Sequence, residues 1–317
     1  MGKFVIRRLL QMVLVLIGAT MVLFSCLFIL PGDPVATIGG SDRARDPAVI
    51  AELRQRYSLD KPLYVQYERY VVNVVKGNLG SSYKQGRPVS KILKHDLGRT
   101  VQLAVVAVLI EIALGIVAGI VAAVFRYSWY DVLSTVGTTL AVGIPVVVLG
   151  LVLQEVFAVK TAHLHGAWRG IRFPLFGRSG WKSFVLPGFT LAIIDLAFVT
   201  RLMRGTLLEV LRADYVRTAR AKGLTERAVV LKHALRNAII PVLTYVGISF
   251  GTLLGGALIT EQVFAWGGLG QELVSAIQVQ DNPIVVAIVS YSVLVFVVLS
   301  LVVDLAYAAI DPRIRLE

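Results

Sequence analysis

Six long apolar runs, at residues 9–30, 101–125, 132–156, 184–203, 239–260 and 284–308, constrain this chain more than any other feature. Each has about the 20 residues a helix needs to cross a hydrocarbon core of about 30 Å. Backbone groups in lipid have no water to bond, so such runs are predicted to be helical. Composition agrees, with 56% of the 317 residues apolar and 16% charged, against about 45–50% and about 25% in soluble domains. The expectation is an all-α polytopic membrane protein with six transmembrane helices, read as one domain over 1–317.

The first run follows Lys3, Arg7 and Arg8 and so has the flank of a secretion signal. It is too long for a signal's apolar core of about 7–15 residues, and no small-x-small cleavage site ends it. It reads as a retained span. The lone cysteine, Cys26, lies inside it, which excludes an intrachain disulfide and a cysteine-cluster metal site.

Loop charge gives the orientation. Segments 1–8, 126–131, 201–238 and 311–317 carry fifteen Lys and Arg, whereas 160–183 carries five and 261–283 none. Segment 31–100 carries twelve, but loops beyond about 60 residues are largely exempt from the rule. Both termini are therefore expected in the cytoplasm, with 31–100 as an extracytoplasmic segment. The net charge of +12 follows from this topology and does not call for nucleic acid.

Segment 31–100 carries its own helical pattern. Asp46-Pro47 starts one amphipathic stretch with Val49, Ile50, Leu53 and Tyr57 on a face. Pro62 opens another with Leu63, Tyr67, Tyr70, Val71 and Val74, and Gly77 suits its end. Such helices can cap the membrane domain, dock a soluble partner, or both.

Ionisable groups at mid-depth are costly and are functional candidates by default. Glu111 and Asp195 fall near the middle of the second and fourth runs, while Glu155 and Asp304 lie nearer the ends of theirs. The central pair can line a polar path and bind a cationic group on a solute, or can serve as interhelical hydrogen-bonding groups. Gly115 and Gly119, and Gly247, Gly251 and Gly255, recur every four residues, as close helix packing requires. Pro145 is predicted to kink the third run.

Enzyme signatures are weak. Gly247-Ile248-Ser249-Phe250-Gly251 has the spacing of a nucleophile elbow but lies in an apolar helix with no histidine nearby. His163 and His165 lack the cysteines or acids that would complete a zinc set. No GxxxxGK[ST] phosphate loop occurs, so the chain is not expected to bind ATP in that way, and no catalytic residue is assigned.

The most informative segment is the cytoplasmic loop at 205–238. Asp214–Lys222 reads as a short helix with an acid in its first turn and bases in its last, stopped by Gly223. Thr225 can cap a second helix to about Asn237, with Pro241 leading into the fifth span. This elbow is longer than joining two spans requires, and it suits a rigid lever touching a cytoplasmic protein.

The stretch Asp214-Tyr215-Val216-Arg217-Thr218-Ala219-Arg220-Ala221-Lys222-Gly223, followed by His233-Ala234-Leu235-Arg236-Asn237, resembles the EAA loop of ATP-binding-cassette importer permeases. It most resembles the peptide/nickel version. The general pattern is E-A-A-x3-G-x9-I-x-L-P: Ala219, Gly223 and Leu235 match, while Arg217, Thr218, His233 and Arg236 depart from it in the manner of the peptide subfamily. Leu30-Pro31-Gly32-Asp33-Pro34, Leu59-Asp60-Lys61-Pro62-Leu63, Gly77–Ser82, Thr260–Phe264 with Gly268-Leu269-Gly270, Asp304 and Asp311-Pro312-Arg313 resemble further blocks of the family, in order. Gly267 stands where the family commonly has proline.

The resemblance implies a type I importer permease fold with a cytoplasmic coupling helix, in a bacterial cytoplasmic (inner) membrane. It implies a second homologous permease, two ATPase domains that hold ATP and magnesium, and an extracytoplasmic solute-binding protein; this chain itself carries no cofactor or metal. Coupling would fall to Asp214, Tyr215, Thr218, Ala219, Arg220, Lys222, Gly223 and Leu224, and the translocation path to Glu111, Asp195 and Pro145. The binding-protein dock would include Pro31, Asp33, Tyr67, Tyr70, Glu261 and Phe264. Relatives carry dipeptides, oligopeptides, glutathione, nickel chelates or haem, and small peptides are the expectation here. A proton-driven transporter using Glu111 and Asp195, and a membrane enzyme, are the alternatives.

Overall fold

The computed structural model describes residues 2–29, 60–163 and 173–310. The extended elements among them are all helical. Five described helices are long and apolar enough to cross a membrane, and a sixth crossing results if one bent pair is a single span. The helix predicted at 46–57 lies outside the described residues.

The chain divides into two compact units, one of Met1–Thr100, Gly267–Leu301 and Pro312–Glu317, the other of Val101–Trp266 and Val302–Asp311. In the first, α1 (Gly2–Ile29) and α2 (Leu63–Val75) pack together. The tyrosines predicted on one face of α2 do this: Tyr67 Oη lies 3.0 Å from Thr20 Oγ1 and donates to Ile17 O at 3.2 Å. Phe24 meets the Tyr67 ring edge-on, with centroids 5.6 Å apart. Gly77 follows with φ +76.

The unit's core joins the start of α3 (Val89–Ile110) to α11 and α12, defined below, through Val89, Ile92, Leu93, Leu269, Ile284 and Ile288. Asp281, itself buried, accepts from Ser82 Oγ and from the backbone N–H groups of Tyr83 and Lys84, both at 3.1 Å, and so holds the 80–88 turn.

The second unit is built around α7, described here after the helices that pack on it. α3 runs through a π-helical turn at Glu111–Gly115 into α4 (Ile116–Val124). The third apolar run is two helices, α5 (Trp129–Gly143) and α6 (Val146–Gln154), the latter extended by a π turn at Glu155–Val159. The axes of the pair differ by 105°. The predicted kink at Pro145 is thus a break: proline forces the preceding Ile144 out of helical geometry, to φ −90 and ψ 124.

α7 (Val185–Val210) is the hub. The predicted glycine seam of the second span meets it: a Cβ on Gly115 would stand 2.8 Å from Val199 Cγ1, and one on Gly119 would stand 2.6 Å from Met203 Cβ. After α8 (Asp214–Ala221), a single turn at Glu226–Ala228 and a π turn at Val229–Ala234 lead into α9 (Leu235–Gly256). α10 (Leu258–Val263), α11 (Leu269–Gln278) and α12 (Asn282–Ile310) complete the order.

Candidate functional site

The elbow at 205–238 forms as its sequence dictates, with one change. α8 starts after Ala213 in extended geometry, carries Asp214 in its first turn and Arg220 in its last, and stops where Gly223 takes φ +77. Gly223 N–H donates to Arg220 O at 2.9 Å and Lys222 N–H to Thr218 O at 3.1 Å, so two of the last four carbonyls are satisfied by the turn itself. A side chain at Gly223 would meet nothing within 4 Å, so only the backbone geometry demands glycine there.

The change concerns the second helix. Instead of ending near Asn237, the segment continues through the π turn into α9, with Pro241 inside the helix. The second arm of the elbow, from Glu226 on, is thereby an unbroken extension of the fifth span.

Burial sorts α8 and the turn after it, where coupling is expected, into two sets of residues. Val216 and Ala219 point inward and join one core with Val199, Met203, Leu207, Val229 and Val242. Asp214, Tyr215, Thr218, Arg220, Lys222, Gly223 and Leu224 are exposed. Tyr215 Oη accepts from Asn237 Nδ2 at 2.8 Å, which ties α8 to the base of α9. Arg220 forks onto Glu226 across the Gly223 turn, Nε to Oε2 at 3.0 Å and Nη2 to Oε1 at 2.6 Å. The carboxylate raises the guanidinium above its ordinary pKa and keeps it charged. The exposed face is therefore a rigid, mostly polar surface mounted on an apolar foot.

A second ion pair braces this end of the bundle. Asp131, buried at the start of α5, accepts from Arg204 Nε at 2.6 Å and Nη2 at 2.9 Å, and from Tyr127 N–H at 3.0 Å. Sequence reading missed it because 73 residues separate the partners.

The two mid-depth acids come together in the second unit. Glu111 opens the first π turn and is fully buried; its Oε2 accepts from Ser249 Oγ at 3.0 Å. Asp195 on α7 is half-buried and accepts from Tyr245 Oη at 2.8 Å. Ser249 thus bonds Glu111 and Tyr245 bonds Asp195, each acid having its own hydroxyl partner on α9. The supposed nucleophile of the elbow motif is thus a helical hydroxyl in a polar cluster. Pro145 stands at the break between α5 and α6. Among the described residues, no group of three or more His, Cys, Asp or Glu could hold a metal ion.

Residues expected at the outer face have varied placements. Pro31 and Asp33 lie outside the described residues. Tyr67 and Tyr70 turn toward their own unit, Tyr70 Oη lying 2.9 Å from Ser290 Oγ. Glu261 and Phe264 are buried. Phe264 packs with Ala158 and Leu186, and its carbonyl accepts from Gly177 N–H at 3.1 Å. Their role visible here is to shape the loop. Gly267 has φ +78, which proline cannot adopt.

Comparison with known proteins agrees with these features. The family model described as binding-protein-dependent transport system inner membrane component matches residues 115–316, and the N-terminal model for the membrane component of such systems matches 1–104. The dipeptide transport system permease protein DppB of Alkalihalophilus pseudofirmus is 38% identical over 334 residues, covering 99% of this chain and all of the relative. The glutathione transport system permease protein GsiC of Escherichia coli K12 is 39% identical over 315 residues, covering 99% of each. Among solved structures, the inward-facing MetNI methionine ABC transporter aligns with 69% of this chain and 96% of its own, at TM-score 0.54 and 20% identity, a likeness of fold. Matched along nearly its whole length, the chain belongs to the binding-protein-dependent inner-membrane permeases of ABC importers, in their dipeptide/oligopeptide branch.

Proposed function

We propose that this chain is one of two permease subunits that together enclose the path of an ATP-driven importer of small peptides. ABC importer permeases work with ATPases and a substrate-binding protein and are not themselves enzymes. In this reading the exposed face of α8 sits in a groove of one ATPase, and ATP with its magnesium is held and hydrolysed there. Both termini and the elbow are cytoplasmic, and the 31–100 and 261–283 segments receive the loaded binding protein.

The observation that carries this reading is the continuity of the elbow with the bundle. Val216 and Ala219 share a core with Val199, Met203 and Val242, and the segment after Gly223 runs unbroken into α9. A push on α8 is therefore transmitted to α7 and α9, because packed interiors resist local compression. The relatives named for dipeptide and glutathione transport support a peptide as cargo.

The test is reconstitution. This chain with a second permease, ATPases and binding protein in liposomes should accumulate dipeptide only with ATP. Accumulation by this chain alone, under a proton gradient, would contradict the proposal.

A further inference from the structure

We propose that the Glu111–Ser249–Asp195–Tyr245 cluster carries a single negative charge, placed on Asp195, and that Asp195 favours solutes with a cationic side chain over anionic ones while Glu111 stays a neutral acid outside the binding surface. This deepens the function proposed above and rests on it.

The geometry separates two acids that look alike in the sequence. Glu111 is fully enclosed, and its Oε1 has no hydrogen-bond partner among the described residues. A buried anionic oxygen left unbonded is among the costliest arrangements in a protein, whereas a neutral acid at the same place costs far less. No lysine or arginine occurs in 101–125, 184–200 or 239–260 to neutralise it. Ser249, buried beside Glu111, has a hydroxyl that can accept as well as donate. With the acid proton on Glu111 Oε2, Glu111 donates to Ser249 Oγ across the same 3.0 Å contact. Tyr245 Oη donates to Asp195 at 2.8 Å. A hydroxyl donor of this kind suits the anion.

Asp195 differs in access. It is only partly buried, with Phe198 next along the same side of α7 at 44% exposed and Arg201 exposed beyond it. Arg201 lies over the Phe198 ring at 5.1 Å and marks the cationic limit of the cluster. A carboxylate at membrane depth does not face lipid; its open side faces a water-filled path or protein. An anion at a path wall favours an ammonium group and repels an anionic solute.

The test uses the complete importer in liposomes, supplied with saturating binding protein loaded with a lysine-containing or a glutamate-containing dipeptide. Asp195→Asn should lower the lysine-to-glutamate uptake ratio about tenfold, the loss expected of one charge-assisted hydrogen bond, and Asp195→Glu should restore part of it. Glu111→Gln should keep the wild-type ratio. Infrared difference spectra should show a protonated-carboxyl C=O band that disappears in Glu111→Gln and persists in Asp195→Asn.

Equal effects of the two variants on the ratio, or no such band, would overturn the division of charge. Loss of the second permease on purification of Asp195→Asn would assign Asp195 to a subunit contact and also overturn it. Failure of the wild-type complex to take up any peptide would instead sink the proposed function, and the infrared band would still decide the charge state.

Discussion

Arg220 and Glu226 form a forked ion pair across the Gly223 turn, at 3.0 and 2.6 Å, and it closes the elbow between α8 and the extension of the fifth span. Both side chains are more than a third exposed, so the pair acts on geometry more than on global stability; exposed pairs contribute about 0.2–1 kcal/mol. Glu226→Ala should leave expression and assembly intact and lower peptide uptake per ATP hydrolysed by about twofold, an effect of the size such a pair supports. The exchanged pair Arg220→Glu with Glu226→Arg should recover part of the loss. Paired uptake and phosphate-release assays measure both.

The Asp131–Arg204 fork is different, because Asp131 is buried. Removing its charge leaves the guanidinium half-satisfied and frees Tyr127, which holds φ +63. Asp131→Asn should cost about 1.5–3 kcal/mol, the range for hydrogen bonds to charged groups. It should appear as a lower Tm of the detergent-solubilised complex, with little change at Lys232→Gln as a surface control.

Gly119 tests the packing of α4 on α7. An added Cβ would sit 2.7 Å from Thr200 O as well as against Met203. Gly119→Val should cost about 1–3 kcal/mol through overpacking. Gly137→Ala, whose new methyl meets nothing within 4 Å, should be tolerated, and thermal unfolding of the two variants separates close packing from general helix effects.

Glu272 supplies a pH dependence outside the spans. Burial pushes its carboxyl above the ordinary range, the Asp96 carboxylate adds to this, and the bond from Gln85 Nε2 at 2.7 Å opposes it. A carboxyl raised on folding favours the native state below its unfolded pKa and loses that contribution as pH rises through the raised value. Glu272→Gln should therefore raise Tm relative to the wild type more at about pH 8 than at about pH 5, the two sides of a raised carboxyl titration. An equal difference at both would remove Glu272 as the source.

Much of this architecture is legible in residue order. Gly223 announces the end of α8 because the left-handed geometry at a helix stop excludes most side chains, and Gly115 with Gly119 announces a close helix contact because nothing else lets backbones approach. Pro145 is visible, but the angle of its break is not, since that depends on what α5 and α6 pack against. The π turns leave no mark: one extra residue in a helix does not alter an all-apolar pattern. Glu111 and Asp195 have the same hydropathic setting, and only tertiary packing decides that one is enclosed and the other half-open. Glu261 and Phe264 fall in a loop by sequence, where exposure is the natural expectation, yet the fold buries both to shape that loop.

The central claim, that the 214–223 elbow transmits work done in partner ATPases, is tested most directly at Gly223. A β-branched residue resists the φ of +77 found there, and a left-handed non-glycine residue costs about 1–2 kcal/mol. The measurement is the ratio of dipeptide accumulated to ATP hydrolysed by the reconstituted complex carrying Gly223→Val. The account predicts an assembled complex that still hydrolyses ATP while uptake falls about five- to thirtyfold, since each 1.4 kcal/mol corresponds to a factor of ten. A wild-type ratio in that variant would contradict it.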